Sequence, residues 1–191
     1  MANLRAPAGR RPHSRKDTPM RRIRLTASLT VLCAMTGALA ATAAPAHAAP
    51  AYYKFVAEHS GKCLDVQGGS TRHAAPTHQW RCLDRVLSQQ WEARRFDDGA
   101  YVFVARHSGK CLDVAYASTA GAAAVLQATC RFTSNQRWRI KTNADGTKRV
   151  IAKHSGLCLD VANVDYADGA RVVQARCWGG ENQSWHVTRV G

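Results

Sequence analysis

From Tyr52 onward the apolar residues fall in short runs separated by turn residues. Tyr52-Tyr53-Lys54-Phe55-Val56, Tyr101-Val102-Phe103-Val104 and Arg149-Val150-Ile151 are rich in β-branched and aromatic side chains. Each leads into a Ser-Gly turn, then Cys-Leu-Asp-Val and a loop rich in Gly, Ala and Ser. A further run such as Ala124-Val125-Leu126-Gln127-Ala128 follows, and a last one opens at Gln-x-Trp. Runs of this kind, about ten residues apart with turn signals between them, predict strands and an all-β domain. No segment carries a sustained apolar stripe of helical period.

The runs are three copies of one unit. His59-Ser60-Gly61-Lys62-Cys63-Leu64-Asp65-Val66 returns as His107–Val114 and as His154–Val161, with periods of 48 and 47 residues. Each copy adds a second cysteine 19 positions after the first (Cys82, Cys130, Cys177), then Gln89-Gln90-Trp91, Gln136-Arg137-Trp138 or Gln183-Ser184-Trp185. Four strands per unit and three units predict twelve strands, in repeats 51–99, 100–146 and 147–191. One such unit cannot bury a core by itself, so the three must pack together. Propellers need about four blades or more. Three units are therefore expected to close around a threefold axis, which also removes exposed sheet edges.

Residues 1–48 stand outside this pattern and read as an export signal. Eight Lys and Arg residues between Arg5 and Arg24 precede an uncharged run from Leu25 to Ala48, which ends in Ala46-His47-Ala48. A basic region, an apolar run and a small-x-small ending are the marks of a cleaved signal peptide. Cleavage is expected after Ala48, and Met20-Arg21-Arg22 would make a more ordinary start. A membrane anchor is the competing reading, since the uncharged run is long enough to span a bilayer. Its alanine-rich second half, with Pro45, favours cleavage, so residues 49–191 are expected to be extracellular, with no stable membrane insertion.

Removing the leader lowers the formal net charge from +14 to +7, leaving 19 basic and 12 acidic residues without clustering. A diffuse excess promotes solubility and weak attraction to anions; it does not build a nucleic-acid face. The cysteine count falls from seven to six, two per repeat. Paired cysteines in an exported chain read as disulfides. Fifteen pairings of six cysteines exist, and threefold repetition favours Cys63–Cys82, Cys111–Cys130 and Cys158–Cys177. Each such loop would contribute roughly 3 kcal/mol by chain entropy. With no C-x-x-C pair, neither a metal site nor a cofactor is expected.

The triplicated Cys-Leu-Asp-Val and Gln-x-Trp motifs with the intervening cysteine resemble the ricin-type β-trefoil lectins, over about Tyr52 to Val190. The resemblance implies a β-trefoil of pseudo-threefold symmetry, and a carbohydrate-binding module that performs no chemistry. Trp91, Trp138 and Trp185 are expected in the core. His59, His107 and His154 are expected to be turn residues. Asp65, Asp113 and Asp160 fit two roles: capping the next loop, or accepting charge-assisted bonds from sugar hydroxyls. The family favours the second.

Family sites add an aromatic platform two residues before the second cysteine and an Asn before the Gln of Gln-x-Trp. No repeat has the full set. The first has Trp80, with Ser88 in place of Asn; the second has Asn135 with Ala128; the third has Asn182 with Ala175. The first repeat is therefore expected to be the best site, built from Asp65, His78 and Trp80 with Gln89 in support. The third ranks next (Asp160, Asn182, Gln183), with Trp178 or Tyr166 as stand-in platforms. The second (Asp113, Asn135, Gln136) ranks last, with Tyr116 as its substitute platform. Gln79, Gln127 and Gln174 should face the other way by strand alternation and serve structure. Expected partners are glycans or polysaccharides, bound by a monomer. The alternatives are a small glycoside hydrolase, which needs two carboxylates about 5–10 Å apart, and an inhibitor or protein-interaction trefoil. Asp97-Asp98 is the adjacent acidic pair and reads as a solvated turn.

Overall fold

The computed structural model describes residues 49–190; the expected leader, its Ala48 boundary and the Met20 start lie outside the described residues. Twelve strands are present, as the repeat arithmetic predicts. Six of them are β1 (Tyr52–Ala57), β4 (Trp91–Arg95), β5 (Tyr101–Ala105), β8 (Trp138–Thr142), β9 (Lys148–Ala152) and β12 (Trp185–Val190). They pair in the ring β1–β4–β5–β8–β9–β12–β1, every pair antiparallel. This ring is a closed barrel, so none of its strands presents a bare edge.

The other six form three hairpins: β2 (Cys63–Val66) with β3 (Ala75–Trp80), β6 (Cys111–Val114) with β7 (Val125–Ala128), and β10 (Cys158–Val161) with β11 (Val172–Ala175). Their inner strands meet one another through the β3–β7 ladder and the bridges His78–Arg171 and Ala124–Val173, completing a triangular cap. Barrel plus cap is the β-trefoil arrangement.

The core repeats with the sequence. Trp91, Trp138 and Trp185 are fully buried, as are Leu64, Leu112 and Leu159. Each indole N–H donates to the carbonyl of the Leu in its own Cys-Leu-Asp-Val, at 3.1–3.3 Å. A buried indole thus has its one donor satisfied, and the two motifs of a repeat are joined. Phe55 and Phe103 meet edge to face at 4.8 Å, while the third repeat supplies Val150. The cystines form within repeats, Cys63–Cys82, Cys111–Cys130 and Cys158–Cys177. The Ser-Gly turn places Gly61, Gly109 and Gly156 at φ of +66°, +67° and +71°, where a side chain would be strained.

Candidate functional site

Each repeat raises its Asp on the hairpin strand of Cys-Leu-Asp-Val, directly opposite the platform strand: Asp65 pairs with His78, Asp113 with Leu126 and Asp160 with Val173. Behind each carboxylate lies the Gln of Gln-x-Trp. Gln89 Nε2 donates to Asp65 Oδ2 at 3.0 Å, Gln136 to Asp113 Oδ2 at 2.7 Å and Gln183 to Asp160 Oδ2 at 2.7 Å. The same amides donate to the carbonyls of Arg81, Thr129 and Arg176, and their oxygens accept from Leu83, from Arg131 and Phe132, and from Trp178 and Gly179.

This arrangement corrects part of the expected ligand set. Gln89, Gln136 and Gln183 are 0–2% exposed with both ends of the amide committed, so they orient the carboxylates and do not face a ligand. Asn182 is equally enclosed, donating to the Val161 carbonyl at 3.0 Å. Asn135 is half-buried and donates to both oxygens of Asp113 at 3.1 Å.

In the first repeat, Asp65, His78 and Trp80 line one cavity of about 390 Å³ together with Gly68, Ser88 and Gly169. The Trp80 ring is half-buried, not free-standing. It stacks on His78 at 5.4 Å with 24° between planes, and Gly169 of the third repeat lies against its edge. Asp65 Oδ1 is enclosed without a donor among the described residues, since Ser88 stands where Asn135 stands in the second repeat. His78 Nε2 is 3.9 Å from Asp65 Oδ2. Burial pushes the His78 pKa below its ordinary 6.5, against the pull of Asp65 and Asp168, so the imidazole is neutral near pH 7.

One wall of this cavity comes from another repeat. Asp168, next to Gly169, accepts the Arg81 backbone N–H at 3.0 Å and its guanidinium at 2.8 Å, and pairs with Lys62 at 3.0 Å. The Asp168 carboxyl is held below the usual carboxylate range by these cations. Reading each repeat alone misses these residues, because only threefold closure brings the loop across.

The second repeat holds a larger cavity, about 660 Å³, lined by Asp113, Asn135, Tyr116, Leu126, Ala128, Arg131 and His73. Ala128 stands in the platform position, and the aromatic residue of the lining is Tyr116, which is fully exposed. In the third repeat Trp178 lies over Gly180, so close that a side chain there would collide. Tyr166 stands edge-on to His59 at 5.1 Å. Both are exposed aromatics, yet each rests on a neighbour of its own. Burial raises the pKa values of Asp113 and Asp160 above the usual carboxylate range, against the lowering effect of their amide donors.

The adjacent pair Asp97-Asp98 does not form a site. Asp98 accepts the Ala100 N–H and pairs with Lys153 and Arg137, which lowers its pKa to about 2. Among the described residues no cluster of His, Cys, Asp and Glu is fit to hold a metal, and no helix is long and apolar enough to cross a membrane.

Comparison with known proteins agrees with this geometry. Residues 42–128 match the family model "Ricin-type beta-trefoil lectin domain-like", and residues 99–191 match "Ricin-type beta-trefoil lectin domain". No curated protein matches the chain. Among solved structures, the designed threefold-symmetric protein ThreeFoil is 45% identical with a TM-score of 0.71, over 73% of this chain and 99% of that one. An exo-β-1,3-galactanase from Clostridium thermocellum is 34% identical with a TM-score of 0.71, over 73% of this chain and 30% of the galactanase. The hemolytic lectin CEL-III is 28% identical with a TM-score of 0.58, over 71% of this chain and 30% of the lectin. The chain belongs to the ricin-type β-trefoil lectin domain family.

Proposed function

We propose that this is an exported, non-catalytic carbohydrate-binding protein whose principal site is the first-repeat cavity. The observation that carries the reading is the convergence of Asp65, held by Gln89, and the Trp80 ring on one cavity. A fixed carboxylate accepts hydroxyl donors, and an indole face packs on the C–H face of a pyranose. Shallow cavities of this kind bind weakly one at a time and gain by avidity on a polymer. The three cystines and the basic, then alanine-rich, leader support export.

A hydrolase fits less well. Each repeated Asp has its own buried Gln partner and sits opposite its own platform strand, and Asp98 is already taken by two cations. The test is a binding panel with the oxidised full chain. N-acetylgalactosamine and lactose, each bound in a lectin structure of this fold, and β-1,3-galactan are the first probes. Retention of the protein on at least one glycan or polysaccharide, with no release of reducing sugar, is the expected result. Absence of binding across a broad panel would overturn the reading.

A further inference from the structure

The first- and second-repeat cavities differ most in the residues that surround the carboxylate. Two positions vary: the residue after the second cysteine, and the residue that the neighbouring repeat sends across. In the first repeat these are Leu83 and Asp168, the latter neutralised by Lys62 and Arg81. In the second they are Arg131 and His73, and both line the cavity. His73 and Asp168 occupy equivalent places, because the backbone N–H of the residue before the second cysteine donates to each: Arg81 to Asp168 Oδ1 at 3.0 Å, Thr129 to His73 Nδ1 at 3.2 Å.

That bond fixes the His73 tautomer. Nδ1 is the acceptor, so Nε2 carries the proton and is a donor even in the neutral ring. Arg131 is exposed, and among the described residues its guanidinium makes no ion pair or hydrogen bond. The second cavity therefore has two unspent donors, one always cationic, where the first is lined by Leu83 and its equivalent acid, Asp168, is spent outside the lining on Lys62 and Arg81. Tyr116 adds a fully exposed ring at φ +55°, where the first repeat has Gly68. A tyrosine in the left-handed region is strained, and such strain concentrates at functional sites.

We infer that the second repeat is a separate subsite for an acidic sugar, a pyranose bearing a carboxylate, with Arg131 and His73 on the carboxylate, Tyr116 on the ring face and Asp113 on a hydroxyl. The planar guanidinium matches a carboxylate in a two-point fork. Asp113, screened by Asn135 and Gln136 on both oxygens, accepts a hydroxyl and does not face the anion. This inference rests on the carbohydrate-binding reading and adds a ligand class to it.

The experiment uses the full chain carrying Trp80→Ala, which silences the first cavity, titrated with glucuronate and galacturonate oligomers and their neutral glucose and galactose counterparts. Uronates are expected to bind about tenfold more tightly than the neutral sugars, the worth of one charge-assisted contact, and to weaken with added salt. Arg131→Gln in that background should bring the uronates down to the neutral affinity, and Tyr116→Ala should weaken both. Equal affinity for acidic and neutral sugars, or a uronate preference that survives Arg131→Gln, overturns the inference. If neutral sugars bind wild type through Trp80 and uronates show no preference, only the acidic-sugar assignment fails. If no sugar of either kind binds wild type, the carbohydrate-binding reading fails as well.

Discussion

The side-chain amide of Gln79 donates to the main-chain carbonyl of Asp165, 86 positions further along the chain, at 2.6 Å. His59 Nε2 reaches the same carbonyl at 3.1 Å, and Ser60 Oγ donates to the Gln79 oxygen at 2.7 Å. The pattern recurs around the axis: His107 and Gln127 converge on Ser70, and His154 and Gln174 on Ser118. Each repeat thus grips the hairpin loop of another. The histidines sit in the expected turns, and their rings also bind repeat to repeat.

Replacing Gln79 by Leu should therefore destabilise the fold although no apolar contact is lost. The Ala167 carbonyl and the Ser60 hydroxyl lose a buried partner, at roughly 1–3 kcal/mol for each group left unmade. A fall of about 3 kcal/mol in urea unfolding is expected. A loss well under 1 kcal/mol would show that the loops seat without this clamp.

How much of this was legible in the sequence follows from range. Within a repeat, periodicity was enough: the twelve strands, the three cystines, the buried Trp91, Trp138 and Trp185, and the inward Gln79, Gln127 and Gln174 all stand where the spacing placed them. Between repeats it was not. Gly169 and His73 reach their cavities, and Asp168 its partners Arg81 and Lys62, only through threefold closure, and nothing local to Asp65 or Asp113 marks them. A faint signal existed, since Ala74, Ala122 and Gly169 share a positive φ at the same place in each hairpin loop, yet only Gly169 shows it in residue type. The enclosure of Gln89, Gln136 and Gln183 was hidden for another reason. Sequence gives the residue type but not how many of its hydrogen bonds are already made.

Two tryptophans should separate binding from stability. Trp80 is half-buried on the cavity wall, whereas Trp91 is fully enclosed and bonded to the Leu64 carbonyl. Trp80→Ala is expected to weaken sugar binding at least tenfold, about 1.4 kcal/mol, with little change in Tm. Trp91→Ala should cost about 3–5 kcal/mol of stability. Calorimetric titration and thermal unfolding of both variants check this, and a Trp80→Ala protein that binds normally would remove the first cavity as the site.

Asp98 ties the turn after β4 to Lys153 and Arg137 of later elements. Its folded-state pKa of about 2 lies below the ordinary 3.8. A depressed carboxyl contributes stability above the unfolded value and loses it as pH falls through the folded one. Acid unfolding followed from pH 5 to pH 2 should therefore be steeper in wild type than in Asp98→Asn. Identical slopes would mean that solvent screens the cluster entirely.

His78 carries linkage of the same sign from a different cause, burial of a group that would be charged when protonated, and it lies in the first-repeat cavity. The residue is 7% exposed, its ring stacked on Trp80, with Nδ1 enclosed and unpartnered among the described residues. Protonation would place a charge and an unpaired N–H in that enclosure, which is why burial outweighs the nearby Asp65 and Asp168 and depresses the pKa below 6.5. The unfolded chain then binds more protons than the folded one between the two values. Stability is accordingly complete above pH 6.5, declines as pH falls below it, and levels off under the folded pKa. Because the same ring backs the Trp80 platform, sugar affinity at the first cavity should hold through that window and decline only as pH falls through the folded pKa, where the folded ring itself takes up the proton. His78→Gln, which cannot titrate, should flatten both curves. A proton NMR titration of the His78 ring locates the window directly, and a pKa at or above 6.5 would show that Asp65, 3.9 Å away, outweighs burial and reverse the predicted slope.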